Sequence, residues 1–206
     1  MSNFRVNCNP DRSSICHFDH PKDFRRLVPR TILKCGHGTG AGPFLLDKED
    51  RHHDRRDRRT IASVTLDTRK LFDTTIKIDF CSIISFEADN DHNHELRLVF
   101  RLIKICKDEE SKIPLGEWVF ERAIHRRDHY STGLGKAEDA SLKIPFNNDN
   151  ELEESDSFCF SWCECEEEEC DRCRYIVEIV RQEGHDVRVN INNAILTALA
   201  VGCEEI

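Results

Sequence analysis

After Thr31 most of the chain alternates apolar and polar residues with a period of two, the repeat of a strand with one dry face and one wet face. Leu96, Leu98, Phe100 and Leu102 share one side, and Arg97 and Arg101 take the other. Ile76, Ile78 and Phe80 oppose Lys77 and Asp79, while Val187, Val189 and Ile191 oppose Arg188, Asn190 and Asn192. Runs rich in β-branched and aromatic residues fall at 31–35, 60–66, 75–86, 95–106, 117–124, 157–162, 174–180 and 187–201. About eight strands with no helical repeat predict an all-β fold, an antiparallel β-sandwich of jelly-roll type.

The segments between these runs set the organisation. Residues 1–30 hold Pro10, Pro21 and Pro29, no sustained periodicity, and cysteines at 8 and 16. They read as an extended N-terminal connector arm, with 31–206 as the sandwich domain. The glycine-rich stretch 36–43 lacks the Gly-Lys-Ser/Thr ending of a phosphate loop and reads as a flexible turn between strands. The charge run 48–59, with His52 and His53, reads as a solvated hairpin tip, and 125–156 as a long polar connection with an acidic end.

At 206 residues there is enough chain for one sizeable domain with a real core. No stretch approaches the roughly 20 apolar residues of a membrane span, and the N-terminus lacks the apolar region of a secretory signal. Charge is uneven: residues 1–80 carry 16 Lys/Arg against 11 Asp/Glu, and residues 81–206 carry 14 against 28. A positive leading part and a negative trailing part suit head-to-tail contact between copies, and equally well a solvated surface with uneven loops. The overall net of −9, with no aromatics among the basic residues, argues against a nucleic-acid partner.

Cysteine carries the most chemistry. There are 11, an odd number, so at least one is free, metal-bound or paired with another molecule. Cys159, Cys163, Cys165, Cys170 and Cys173 crowd one acidic stretch between two strand patterns, so they are expected to flank a hairpin and to bridge across it. Cys163, Cys165, Cys170 and Cys173 would also supply the four thiolates of a tetrahedral zinc, although the x-spacing of Cys163 and Cys165 departs from the usual ribbon. Disulfides are favoured, because Cys35, Cys81, Cys106 and Cys203 also need a use; zinc is the alternative cofactor, and otherwise none is expected. Cys8 and Cys16 sit on an arm with no core to bury them, which makes them candidates for intermolecular disulfides. His92, His94, His52 and His53 read as exposed polar residues. No nucleophile–base–orienter set is visible, so no enzyme is expected.

The segments ILKCGHGTG (32–40), IASVTLDT (61–68), KIDFCSIIS (77–85), LRLVFRLIKIC (96–106), GEWVFER (116–122), SFCFSWCECEEEECDRCRYIVEIV (157–180) and VNINNAILTALAVG (189–202) together resemble a cysteine-rich, functionally uncharacterised domain family of spore-forming clostridia. In plan the chain is also similar to the endospore-appendage subunits of bacilli, a jelly roll preceded by a cysteine-bearing arm. That similarity implies subunits stacked into fibres, with arm disulfides to earlier subunits. The expectation is a structural subunit of a disulfide-stapled extracellular fibre or spore-surface layer, a homopolymer without a membrane partner. Such a protein needs no signal peptide if lysis of the producing cell releases it. A zinc-binding module inside the cell and a monomeric ligand-binding sandwich are the other classes.

Overall fold

The computed structural model describes residues 27–46, 58–89, 93–106, 111–124, 151–165 and 172–205. Ten strands run through them: β1 (Leu27–Cys35), β2 (His37–Gly38), β3 (Ala41–Leu46), β4 (Arg59–Asp67), β5 (Phe72–Asp89), β6 (His94–Cys106), β7 (Lys112–Ile124), β8 (Glu151–Cys165), β9 (Arg172–Gly184) and β10 (Val187–Glu205). One sheet, here the first, has the order β1-β10-β5-β8 with β3 also on β10; the second has the order β2-β4-β9-β6-β7. Every pairing is antiparallel. Leaving aside the short β2 and β3, the eight strands form the two interleaved Greek keys of a jelly roll, as expected.

Alternation builds the core. Ile76, Ile78 and Phe80 of β5, Leu96, Leu98, Phe100 and Leu102 of β6, and Val187, Val189 and Ile191 of β10 all face inward and are almost wholly buried. Their strand neighbours Lys77, Arg97, Arg101 and Arg188 face out and make surface ion pairs. A one-residue slip would turn Lys77, Arg97, Arg101 and Arg188 inward as unpaired buried charges, which is why the register is fixed.

β10 changes face part-way. Its register with β5 shifts between Asn192 and Ile195, and Asn193 takes a left-handed backbone (φ 51°). This bulge adds a residue on one side, so Ala194, Leu196, Ala198 and Ala200 continue the buried series on even numbers after Ile191 ended it on odd. The bulge lies beneath β2. A Cβ on Gly38 would fall 1.6 Å from the Ala194 carbonyl oxygen, so only glycine lets the two backbones meet.

Three expectations are corrected. The glycine stretch 36–43 is no loose turn. It leaves the first sheet after β1, pairs briefly with β4 in the second, and returns as β3, hydrogen-bonding Gly36 N–H to the Leu196 carbonyl and Thr39 N–H to the Ile61 carbonyl, both at 2.7 Å. Residues 151–156 are not connection but the first part of β8, paired with β5 from Asp89 to Ile84. An edge strand accepts carboxylates because its free side meets water, and such charges keep edges apart. Lastly, β8 and β9 lie in different sheets, so the cysteine stretch spans a crossing between sheets and not a hairpin. β1 starts at Leu27, so the last residues of the expected arm run into the sheet. Most of the charge run 48–59 and of 125–150 lies outside the described residues.

Truncating Phe100 to Ala should cost on the order of 3–5 kcal/mol, because it opens a cavity where several rings meet. Arg101→Ser should cost under about 1 kcal/mol, since it loses only an exposed ion pair with Glu117. Urea denaturation of both variants checks the pair; equal losses would contradict the inward assignment.

Candidate functional site

The strands sort the sulfurs by face. Cys81 of β5 and Cys159 of β8 stand directly opposite one another on the outer face of the first sheet and are joined by a disulfide, with Cα atoms 4.2 Å apart. Cys163 and Cys165 follow on the same face of β8, two and three positions further along the period-two series, and carry free thiols. Cys35, at the end of β1, is a free exposed thiol on that face too. Neighbouring rows across the sheet read Cys35, Thr197, Asp79, Ser161 and then Leu33, Leu199, Lys77, Cys163. Cys35 and Cys163 therefore lie at opposite margins of one surface.

A second group faces inward. Cys106 of β6 and Cys173 of β9 are register partners in the second sheet, both buried, with Sγ atoms 3.6 Å apart. Cys106 and, on β10, Cys203 are each disulfide-bonded as well. Cys163 and Cys165 point away from the sandwich while Cys173 points into it from the opposite sheet, so the proposed four-thiolate set is not brought together by these three. Among the described residues no three His, Cys, Asp or Glu side chains converge as metal ligands. Cys8, Cys16 and Cys170 lie outside the described residues, as do His52, His53 and His92. His94, expected to be exposed, is buried, with Nδ1 2.8 Å from the His185 carbonyl oxygen.

Next to the inward sulfurs lies a polar cluster that the sequence reading missed. Lys104 Nζ is 3.2 Å from Glu164 Oε1, and the fully buried Tyr175 donates its hydroxyl hydrogen to the same oxygen at 2.5 Å. The three belong to β6, β8 and β9, so the carboxylate ties the two sheets together. The signal was present: Lys104 extends the even-numbered series 96–102, and Glu164 extends Phe158, Phe160 and Trp162. Interior charges of this kind persist when each has a partner, as here.

Between β7 and β8, the margins of the two sheets on the side away from β1, rings fill the gap. Trp118 stacks on Phe160 at 3.9 Å between centroids, with Trp162, Phe158 and Phe120 around them. Arg122 of β7 bridges to Asp156 of β8 across the same gap. That hydrogen bond, ahead of the smaller opposing effect of burial, holds the Asp156 carboxyl below its ordinary range. Among the described residues β8 pairs only with β5, β7 only with β6, and β1 only with β10, so each presents an unpaired backbone edge.

The chain belongs to the family described as "Domain of unknown function (DUF4489)", whose profile matches residues 29–201. No curated protein matches it. A solved structure, "Structure of infectious bursal disease virus Gt strain", aligns at 12% identity over 93% of this chain, which spans only 46% of that viral one; with a TM-score of 0.19 the likeness carries no weight. Taken together, the chain is a disulfide-containing all-β sandwich domain. No helix among the described residues is long and apolar enough to cross a membrane.

Reductant should lower the unfolding midpoint, whereas a chelator should leave it unchanged. Opening Cys81–Cys159, which closes a loop of 78 residues, should cost on the order of 2–4 kcal/mol. Thermal melts with each reagent check this, and a chelator-driven loss would return the metal reading.

Acid should loosen the β7–β8 side. A carboxyl with a depressed folded pKa contributes stability above its unfolded value, near about 3.9, and that contribution is lost as pH falls through the folded value. The stability difference between wild type and Asp156→Asn should therefore be full at neutral pH and should shrink in acid, as melts of both proteins across pH would record.

Proposed function

We propose that this protein is the structural subunit of a disulfide-stapled extracellular fibre or spore-surface layer, made of copies of itself. One observation carries the reading: a jelly roll with disulfides already in place presents, among the described residues, long unpaired edges on both sheets. Persistent disulfides suit an oxidising location outside the cell. Free edges are templates for adding another chain, and a head-to-tail contact that does not close yields a filament. The resemblance to clostridial cysteine-rich domains and the similar plan of bacillar appendage subunits support the same reading; analogy of plan alone would not establish it. In this scheme the connector arm, through Cys8 and Cys16, makes the strand-edge contact covalent. Lysis of the producing cell would release the subunit to that location. It performs no catalysis and needs no cofactor.

Native material should run as a ladder on non-reducing gels and collapse to monomer with reductant, and electron microscopy should show filaments. Cys8→Ser with Cys16→Ser should leave the domain folded and make the assemblies sensitive to heat or denaturant. Wholly monomeric native protein with both arm thiols open to alkylation would overturn the proposal.

A further inference from the structure

We propose that neighbouring subunits join the first sheet of one copy to the first sheet of the next, β8 against the β1/β3 margin, and that a Cys35–Cys163 disulfide locks this seam. The inference rests on the fibre reading and adds to it the edges, the register and a bond that does not involve the arm.

Strand direction permits the seam. The order β1-β10-β5-β8 alternates direction at every step, so a copy translated sideways presents its β1 antiparallel to the first copy's β8. The far margin is composite. β1 pairs with β10 from Thr197 to Glu205, and β3 pairs with it from Val187 to Ile191. The same rows, followed across β5, end at Glu154 opposite Phe44 and at Cys163 opposite Leu33. One long strand therefore meets two shorter ones, with the glycine strap leaving the plane between them.

Charge selects this pairing over its rivals. β8 carries Glu151, Glu153, Glu154, Asp156 and Glu164 and no basic residue, although Asp156 is ion-paired to Arg122 and Glu164 to Lys104 within the chain. Residues 27–46 carry Arg30 and Lys34 and no carboxylate, although Arg30 is also ion-paired to Glu204 within the chain. Like edges would set carboxylates against carboxylates, whereas unlike edges attract. An unlike contact is heterologous, so it repeats without closing. Exposed Leu33 and Leu45 on the same margin, at 63% and 61%, lose water in it.

The thiols fix the register. Pure sideways translation sets Cys35 against Ser161. A two-residue stagger sets it against Cys163 and keeps both sulfurs on the outer face, since even shifts preserve faces. The new pair repeats the Cys81–Cys159 arrangement, cross-strand and directly opposed. The stagger also displaces each copy by about 7 Å along the strands. Within one chain the two thiols lie three strand spacings and one row apart, roughly 16 Å, beyond the reach of a disulfide. The bond forms by two exchanges with a low-molecular-weight disulfide. The Cys35 thiolate attacks one sulfur and expels a thiolate. The Cys163 thiolate then attacks the mixed disulfide at the Cys35 sulfur and expels the second, so two protein thiols become one disulfide and the small disulfide becomes two thiols.

The test incubates the full-length chain with oxidised glutathione and maps disulfide-linked peptides by mass spectrometry without reduction. The expected product joins the Cys35 peptide to the peptide containing Cys163. It should vanish in Cys35→Ser and in Cys163→Ser, and reappear when those two variants are mixed, because one supplies Cys163 and the other Cys35. Loss in Cys165→Ser instead of Cys163→Ser would overturn the two-residue register. Covalent multimers in which Cys35 stays open to alkylation, or is bonded to an arm cysteine of another copy, would overturn the seam while leaving the fibre reading intact. No multimer under any condition would overturn both.

Discussion

Each residue on a strand must face either the space between the sheets or the outer side of its sheet, and moving a strand by one position exchanges the two sets. That two-fold rule fixes the core, because Phe80, Phe100 and Val189 are inside only if Lys77, Arg101 and Arg188 are outside. It also divides the sulfur chemistry. Odd-numbered Cys159, Cys163 and Cys165 fall on the wet face of β8, and odd-numbered Cys173 falls on the dry face of β9, which runs in the other sheet. Four cysteines within fifteen residues thus end up on surfaces that do not communicate, and neighbours in sequence are not neighbours in space.

The same rule explains what could be read without coordinates. Strand identity, the inward residues and the jelly-roll class follow from alternation, which each strand displays by itself. Pairing does not, because it depends on distant strands: nothing local in 157–180 says that β8 joins β5 while β9 joins β4 and β6. The zinc alternative and the hairpin both assumed that closeness in sequence means closeness in the fold. Polarity was a second source of error. Residues 151–156 looked like loop because they are acidic, yet an edge strand accommodates carboxylates, and Glu164, within the acidic cysteine stretch, is held between the sheets by Lys104 and Tyr175. The face change at Asn193 was hidden for a third reason, since a bulge adds one residue and leaves no compositional mark beyond asparagine's tolerance of a left-handed backbone.

Oxidised and reduced sulfur coexist in an ordered way. Cys81 and Cys159 are bonded where two strands already lie side by side, so their disulfide secures contacts made by pairing and does not create them. The free thiols Cys35 and Cys163 lie on β1 and β8, the outermost strands of the first sheet among the described residues.

The two long sides of the sandwich are closed by different materials. On one, the segment from Gly36 to Gly40 hydrogen-bonds to both sheets, Gly36 to Leu196 in the first and Thr39 and Gly40 to Ile61 in the second, so the backbone itself is the joint. On the other, the sheets meet through ring contacts and the Arg122–Asp156 pair, with no backbone crossing among the described residues. Side-chain contacts can part and re-form without breaking a strand, whereas the strap cannot. Among the described residues the sandwich is therefore built like a book, with a spine bound by backbone at the strap and a fore-edge closed by side chains. Both of its tryptophans, Trp118 and Trp162, are printed on that fore-edge.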